Sequence, residues 1–272
     1  MKMSLNKGVL VTIIIALIVI GVTMLIPIYQ YYQPAEAQLI YCIPSKHSDD
    51  TLRVLFIGDS WAAYHQAHDS ILATMISSST NKPCVVKSIG NVGAKSKEVY
   101  ERLFSSTKPF ILEHPDYCII SAGINDAVAK MGADYYTSNY VNILDFLISQ
   151  KIVSIVLDMP NVDYSAVYNR ESFSAKFRHQ LSSAITRGDF YSFNSYRIAL
   201  SETLNKLEKH DSIIYVEAQN WMPNNSAISF YCDDGIHLNA EGYQKLDSCL
   251  SIKIANNFSF SHGTWKQAIS YK

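Results

Sequence analysis

The sequence predicts a three-layer α/β/α sandwich on a five-stranded parallel sheet, preceded by one N-terminal transmembrane helix. Three observations predict it. Five short β-branched runs are continuously apolar rather than alternating, which marks strands buried on both faces. Helical stretches separate those runs in a βαβα order, which requires crossovers and hence parallel pairing. Near the N-terminus, a run from Gly8 to Ile28 carries no charge at all.

That run, "GVLVTIIIALIVIGVTMLIPI", is long enough to cross the hydrocarbon layer as a helix rising ~1.5 Å per residue. Lys2 and Lys7 precede it and no basic residue follows until Lys46. The positive-inside rule therefore puts residues 1–7 in the cytoplasm, makes 8–28 a signal-anchor and places the remainder outside, in the periplasm or on the cell surface of a bacterial envelope. The small-x-small triplet "AEA" at 35–37 keeps a cleaved leader open as the alternative. Against cleavage, the apolar run outlasts the usual h-region and the triplet lies far beyond its end. Residues 29–50 are polar and proline-broken and read as a linker. The folded domain is expected over 51–258, with a C-terminal tail over 259–272.

Within the domain, strands are expected at "RVLFIG" (53–58), "CVVKSI" (84–89), "YCIISAG" (117–123), "IVSIVLD" (152–158) and "SIIYVE" (212–217). Helices are expected at about 61–79, 96–106, 137–150, 173–186, 194–209 and 239–256. The 23 Lys and Arg against 24 Asp and Glu, without a long basic run, exclude the footprint that a nucleic-acid backbone demands. Eighteen Tyr and 11 Phe are enough to fill a core.

Five cysteines, Cys42, Cys84, Cys118, Cys232 and Cys249, would face an environment where disulfides persist. Their odd number leaves one thiol over. Cys84 and Cys118 fall in strands and read as small buried apolar residues; Cys232 and Cys249 are candidates for a bridge. No C-x-x-C pair supports a zinc ribbon. His65 and His68 lie one turn apart, but no third ligand is near in sequence, so neither a metal nor a cofactor is expected.

In open parallel sheets, ligands bind outside the carboxyl ends of the strands. The first strand ends in Gly58-Asp59-Ser60, the second runs into "GNVGAKS" (90–96), the third ends in "GIND" (123–126), and "DDGIHLNAEGY" (233–243) precedes the last helix. Each alone has an ordinary structural reading: a helix cap, a turn where only Gly fits, an Asx turn, a structural histidine. Together they offer what acyl transfer needs on one rim, namely a hydroxyl, an imidazole, a carboxylate and oxyanion donors. Asp234 and His237 stand three residues apart, so one turn can set the carboxylate against one ring nitrogen while the other faces outward. Asp233 reads as a solvated neighbour.

These blocks resemble those of the SGNH, or GDSL, hydrolase family: Ser60 in "GDS", Gly93 in "NVGAKS", Asn125 in "GIND", and Asp234 with His237 in "DGIH". The resemblance implies a flavodoxin-like fold and a serine esterase. In it Ser60 is the nucleophile, His237 the general base and acid, and Asp234 its orienting carboxylate. The oxyanion hole would consist of the Ser60 and Gly93 N–H groups and the Asn125 amide. Trp61 departs from the family's pattern, which has Leu there, and is expected to shape the rim of the pocket.

Residues 161–195 are longer than a simple crossover needs, and Tyr164, Tyr168, Tyr191 and Phe193 within them are candidates to stack on sugar rings. Anchor and aromatics together suggest acetylated envelope glycan as the ester substrate. Two other classes stay open: an O-acyltransferase passing the same acyl group to a polysaccharide hydroxyl, and a non-catalytic envelope binding module.

Overall fold

The computed structural model of the chain describes residues 7–41, 43, 46–159, 161–188, 193–207, 210–222 and 227–261. They fall into two compact units, one reaching to Pro34 and one starting at Ala35.

The first unit is helix α1 (Lys7–Tyr31), with mean hydropathy 3.2 over its most apolar window and no residue of that window buried. Among the described residues it is the one helix long and apolar enough to cross a membrane. Its two threonine hydroxyls are satisfied internally, Thr12 donating to the Gly8 carbonyl and Thr23 to the Val19 carbonyl.

The second unit is the predicted sandwich. Its strands are β1 (Leu52–Gly58), β2 (Cys84–Gly90), β3 (Tyr117–Ser121), β4 (Val153–Leu157) and β5 (Ile213–Val216), all parallel, in the order β2-β1-β3-β4-β5. The chain moves outward from β1 to β2, then back across to β3, which puts the topological switch point beside β1. Gly58 pairs with both Gly90 and Ser121, so the three strand ends at the switch point are level.

Helices α2 (Ser60–His65), α3 (Asp69–Thr80), α4 (Ser96–Arg102), α5 (Lys108–Ile111), α6 (Ile124–Val128), α7 (Ala133–Ser149), α8 (Tyr164–Arg170), α9 (Phe173–Thr186), α10 (Phe193–Lys206) and α11 (Ala240–Ser261) fill the connections. β3 is buried along its whole length. α11 closes the core through Leu246, Leu250 and Ile254, one apolar row at four-residue spacing.

The structure departs from expectation in four places. The helix expected over 61–79 is split by a 3-10 turn at Gln66–His68, because His65 turns inward to polar partners before the chain restarts at Asp69. Helices α5, α6 and α8 were not anticipated; they are too short for a 3.6-residue period to register. Residues 35–41 and 43, part of the expected linker, are docked on the second unit. There the N–H groups of Ala35, Gln38 and Ile43 donate to Asn139 Oδ1 (2.8 Å), Tyr100 Oη (2.8 Å) and Gln150 Oε1 (3.2 Å). Tyr41 donates to the Leu103 carbonyl at 2.6 Å and packs edge-on against Phe104. The compact unit thus starts at Ala35, not Thr51. Finally, Cys232 and Cys249 are both free thiols, as are Cys84 and Cys118. Cys249 lies more than two turns along α11 while Cys232 stays on the loop ahead of that helix, so the candidate bridge does not form. Cys42, Tyr191 and the tail beyond Ser261 lie outside the described residues.

Candidate active site

The site begins where β1 stops. Gly58 has φ +154°, and a Cβ there would sit 2.2 Å from the Ser121 carbonyl oxygen; only glycine lets β1 approach β3 this closely while turning. Asp59 then caps α2, its Oδ1 accepting from the Trp61 N–H at 3.0 Å. Ser60 follows as the first residue of α2, mostly buried but not sealed, at 6% exposure.

The second half is the loop before α11. The Cys232 N–H donates to the His237 carbonyl (2.8 Å) and the Gly235 N–H to the Cys232 carbonyl (2.9 Å), which closes a tight turn. Asp234 Oδ1 accepts from the N–H groups of Ile236 (3.0 Å) and His237 (2.9 Å). Its Oδ2 lies 2.6 Å from His237 Nδ1, and His237 Nε2 lies 3.0 Å from Ser60 Oγ. The network assigns the Nδ1 proton to the carboxylate side, leaving Nε2 to accept from the serine hydroxyl. Partial burial pushes the Asp234 carboxyl up, but the His237 N–H, the His237 ring and the Ile236 N–H outweigh it and hold the group below its ordinary value. Asp234 therefore stays ionised beside the imidazole.

Asp234, His237 and Ser60 thus form one continuous hydrogen-bonded chain at the strand end of a doubly wound sheet. The GDSL-like lipase/acylhydrolase family profile matches residues 56–245. The chain belongs to this family.

No curated protein matches the sequence. Among solved structures, the chain is similar to a GDSL-like lipase from Bacteroides thetaiotaomicron, with TM-score 0.50, 19% identity and 75% and 88% of the two chains covered. It is also similar to a lipase from a goat rumen metagenome (TM-score 0.54, 14% identity, 74% and 97%) and to an α/β hydrolase from the metagenome of Lake Arreo, Spain (TM-score 0.54, 15%, 79% and 96%). At these identities the likeness shows the fold. The family membership makes this chain a serine ester hydrolase.

Two further blocks of this GDSL-like hydrolase meet the turn that carries Ser60. Gly93, at φ +80° in the exposed turn after β2, has nothing within 4 Å of where a Cβ would stand, so glycine is required there for its backbone angle and not for space. Asn125 donates through Nδ2 to the Ala94 carbonyl at 3.0 Å and lies 3.5 Å from Asp59 Oδ2. Its neighbour Asp126 is fully buried and accepts from the Ser96 N–H (2.9 Å) and Oγ (2.6 Å), tying the start of α4 to α6. Burial raises the carboxyls of Asp59 and Asp126 to about 6 each, against the hydrogen bonds that favour their ionised forms.

Trp61 is not at the rim. It is 2% exposed, its Nε1–H donates to the Ile236 carbonyl at 2.9 Å, and its ring meets Trp221 edge-on. Tyr243 on α11 donates to the Trp61 carbonyl at 3.0 Å. An indole at the second position of α2 is long enough to reach through the core and hold the His237 loop, which leucine could not hydrogen-bond. The rim aromatic is Tyr64, 46% exposed and edge-on to the His237 ring. Its position four residues after Ser60, on the same helical face, was a signal the sequence offered.

Of the four stacking candidates, Phe193 is buried at 1%, because it starts α10 facing the core. Tyr164 opens α8, and Tyr168 is exposed with the Lys176 ammonium over its ring. His65 is fully buried: Nε2 lies 2.7 Å from Asp247 Oδ1 and Nδ1 lies 2.8 Å from Ser88 Oγ and 3.2 Å from Asp69 Oδ1. His68 stacks on Tyr243. Among the described residues no group of three or more His, Cys, Asp or Glu could hold a metal ion.

Proposed function

We propose that this chain is a membrane-anchored, extracytoplasmic serine esterase that removes acetyl groups from envelope glycans through an acyl-enzyme. The observation that carries the catalytic part is the unbroken relay from Asp234 through His237 to Ser60, at 2.6 and 3.0 Å. His237 Nε2 takes the Ser60 proton as Oγ attacks the ester carbonyl, and the ionised Asp234 stabilises the imidazolium that results. The same imidazolium then protonates the departing alcohol, and water repeats the sequence to free the acid.

The Ser60 and Gly93 N–H groups and the Asn125 amide receive the oxyanion. Each such donor is worth roughly 10²–10³ in turnover. Ser60 heads α2, so partial positive charge also favours the anion forming there. The anchor reading is supported by the length and apolarity of α1 and by Lys2 and Lys7 ahead of it. A sugar alcohol is supported by the exposed ring of Tyr64 beside His237.

The test is an ester panel with mass spectrometry of the trapped enzyme. An acetyl adduct on Ser60, with release of acetate from acetylated glycan, is expected. Ser60→Ala should lose roughly 10⁴–10⁶ of the turnover on p-nitrophenyl acetate. Full activity in that variant would end the serine reading; preference for long-chain esters with acetylated glycan untouched would end the glycan reading alone.

A further inference from the structure

The carboxyl end of the sheet carries a second concave site that the relay does not use. Asp158 is the first residue after β4 and Glu217 the first after β5. Leu157 and Val216, which precede them, are paired in register, so the two carboxylates stand beside one another at the edge of the sheet. With Arg197 and Ser201 of α10 they line a cavity of about 330 Å³, a size within the ~300–1,000 Å³ of ligand pockets. Asn161 and Gln219 add to its wall.

The chemistry of that wall narrows the ligand. Neighbouring carboxylates repel, and Arg197 is the one guanidinium among the residues lining the cavity. Its nitrogens are already committed: Nε donates to the Met159 carbonyl, Nη2 to Asn161 Oδ1 at 2.8 Å and Nη1 to Asn194 Oδ1 at 3.3 Å. Arg197 is therefore not poised to close bidentately on a phosphate or carboxylate, and two carboxylates beside it disfavour an anion. Asp158 Oδ1 is buried without a hydrogen-bond partner. Such an acceptor is costly to leave unmade, which marks the cavity as a place for a ligand that brings donors. An acyl chain brings none. A sugar hydroxyl both donates and accepts, which matches a wall of carboxylate, amide and hydroxyl groups, and its ring carbons can meet Ile198 and Met222.

The cavity also shares its wall with the loop that carries His237. Tyr231 donates to the Asn161 carbonyl at 2.6 Å and is bridged to Leu238, the residue after His237. Two residues past Asn161, the Asp163 N–H donates to the Gly235 carbonyl at 2.9 Å. Strands stand ~4.8 Å apart, so in the order β1-β3-β4-β5 the ends of β4 and β5 lie roughly 10 and 14 Å from the end of β1. A polymeric alcohol spans that distance from Ser60; a single ring does not.

We propose that this cavity is a subsite for the alcohol moiety, holding a neutral, polyhydroxylated sugar ring beyond the unit whose ester Ser60 attacks. Asp158 and Glu217 then determine specificity by accepting from its hydroxyls. The subsite rests on the glycan-esterase reading above and deepens it, since the substrate becomes an oligomer or polymer and not an acetylated monosaccharide.

The full chain, assayed on partly O-acetylated monosaccharides and hexasaccharides of xylose, mannose and N-acetylglucosamine beside p-nitrophenyl acetate, tests this. In at least one series kcat/KM should be about tenfold higher on the hexasaccharide. Glu217→Ala and Asp158→Asn should each cut kcat/KM on that hexasaccharide about tenfold, through KM, and leave the monosaccharide acetate and p-nitrophenyl acetate at the parent rate. Glu217 is exposed, so its variant is expected to fold whatever Asp158→Asn does. Equal rates on monosaccharide and hexasaccharide in every series overturn the subsite and leave the esterase reading standing. Variants that slow p-nitrophenyl acetate as much as the hexasaccharide make the two residues structural and overturn it as well. Tighter binding of spermidine than of unacetylated hexasaccharide to the Ser60→Ala chain, read by calorimetry, would assign the carboxylates to cations instead. Turnover of p-nitrophenyl acetate with every acetylated sugar untouched overturns the glycan reading and the subsite together.

Discussion

The two halves of the relay are held in different ways. Ser60 heads a helix whose next residue is 2% exposed and whose last, His65, is fully buried, with partners on β2, α3 and α11. The Asp234 and His237 side chains are about a quarter exposed, and their loop is held by its own Asx turn, the Trp61 indole and the Arg170 guanidinium. Ser60 is therefore positioned by the core, and His237 by a handful of hydrogen bonds. Substitutions among the core groups that hold Ser60 should register mainly as stability, and those in the Asp234–His237 loop mainly as rate.

Asp234→Asn should break the loop side hardest. It keeps an acceptor for the backbone N–H groups but leaves the imidazole without its anion, so kcat on a short ester should fall about 10⁴-fold with little change in Tm. A Tm loss matching the rate loss would refute the division.

Asp247→Asn tests the core side. It leaves the buried His65 ring with a weaker partner, and breaking such a pair costs about 3–5 kcal/mol, read as a lowered denaturation midpoint with kcat per folded molecule nearly retained. Burial opposes charge on His65, but Asp247 and Asp69 outweigh it and raise its pKa. The stabilisation from this cluster is present at acid pH, below the unfolded value, and is lost as pH rises through the folded one. The stability gap between parent and variant should close in that direction.

Trp61→Phe bridges the two halves, since one side chain belongs to the core and holds the loop. Removing its N–H leaves the Ile236 carbonyl short of a donor, at about 1–3 kcal/mol. Both Tm and kcat should fall while KM for a small ester stays close to the parent's. The smallest effect is expected from Asp126→Asn. The Asp126 carboxyl titrates at about 6 in the folded chain, above the ordinary 3.8. The folded state therefore keeps a proton that the unfolded state has released, and stability is lost as pH rises between those values. Asn cannot ionise, so the variant should gain on the parent across that window in parallel thermal melts.

Much of this molecule was legible beforehand. Parallel strands buried on both faces need continuous apolar runs, and the observed strands follow those runs to within a residue or two, as with Cys84–Gly90 for 84–89. That Ser60 stands at a strand-to-helix turn and that Asp234 reaches His237 were legible because that turn and the three-residue Asp–His spacing are local features. What the sequence could not determine are the partners that arrive from far along the chain. Trp61 looked like a rim residue because local spacing does not say that the Ile236 carbonyl, 175 positions away, would come within reach. The candidate bridge between Cys232 and Cys249 looked possible for the same reason, and residues 35–41 and 43 read as a linker because partners such as Tyr100 and Asn139 come later in the chain. Local backbone preference and periodicity are written in neighbouring residues; burial and long-range hydrogen bonding depend on which surfaces the folded sheet brings together, and only the tertiary structure decides that.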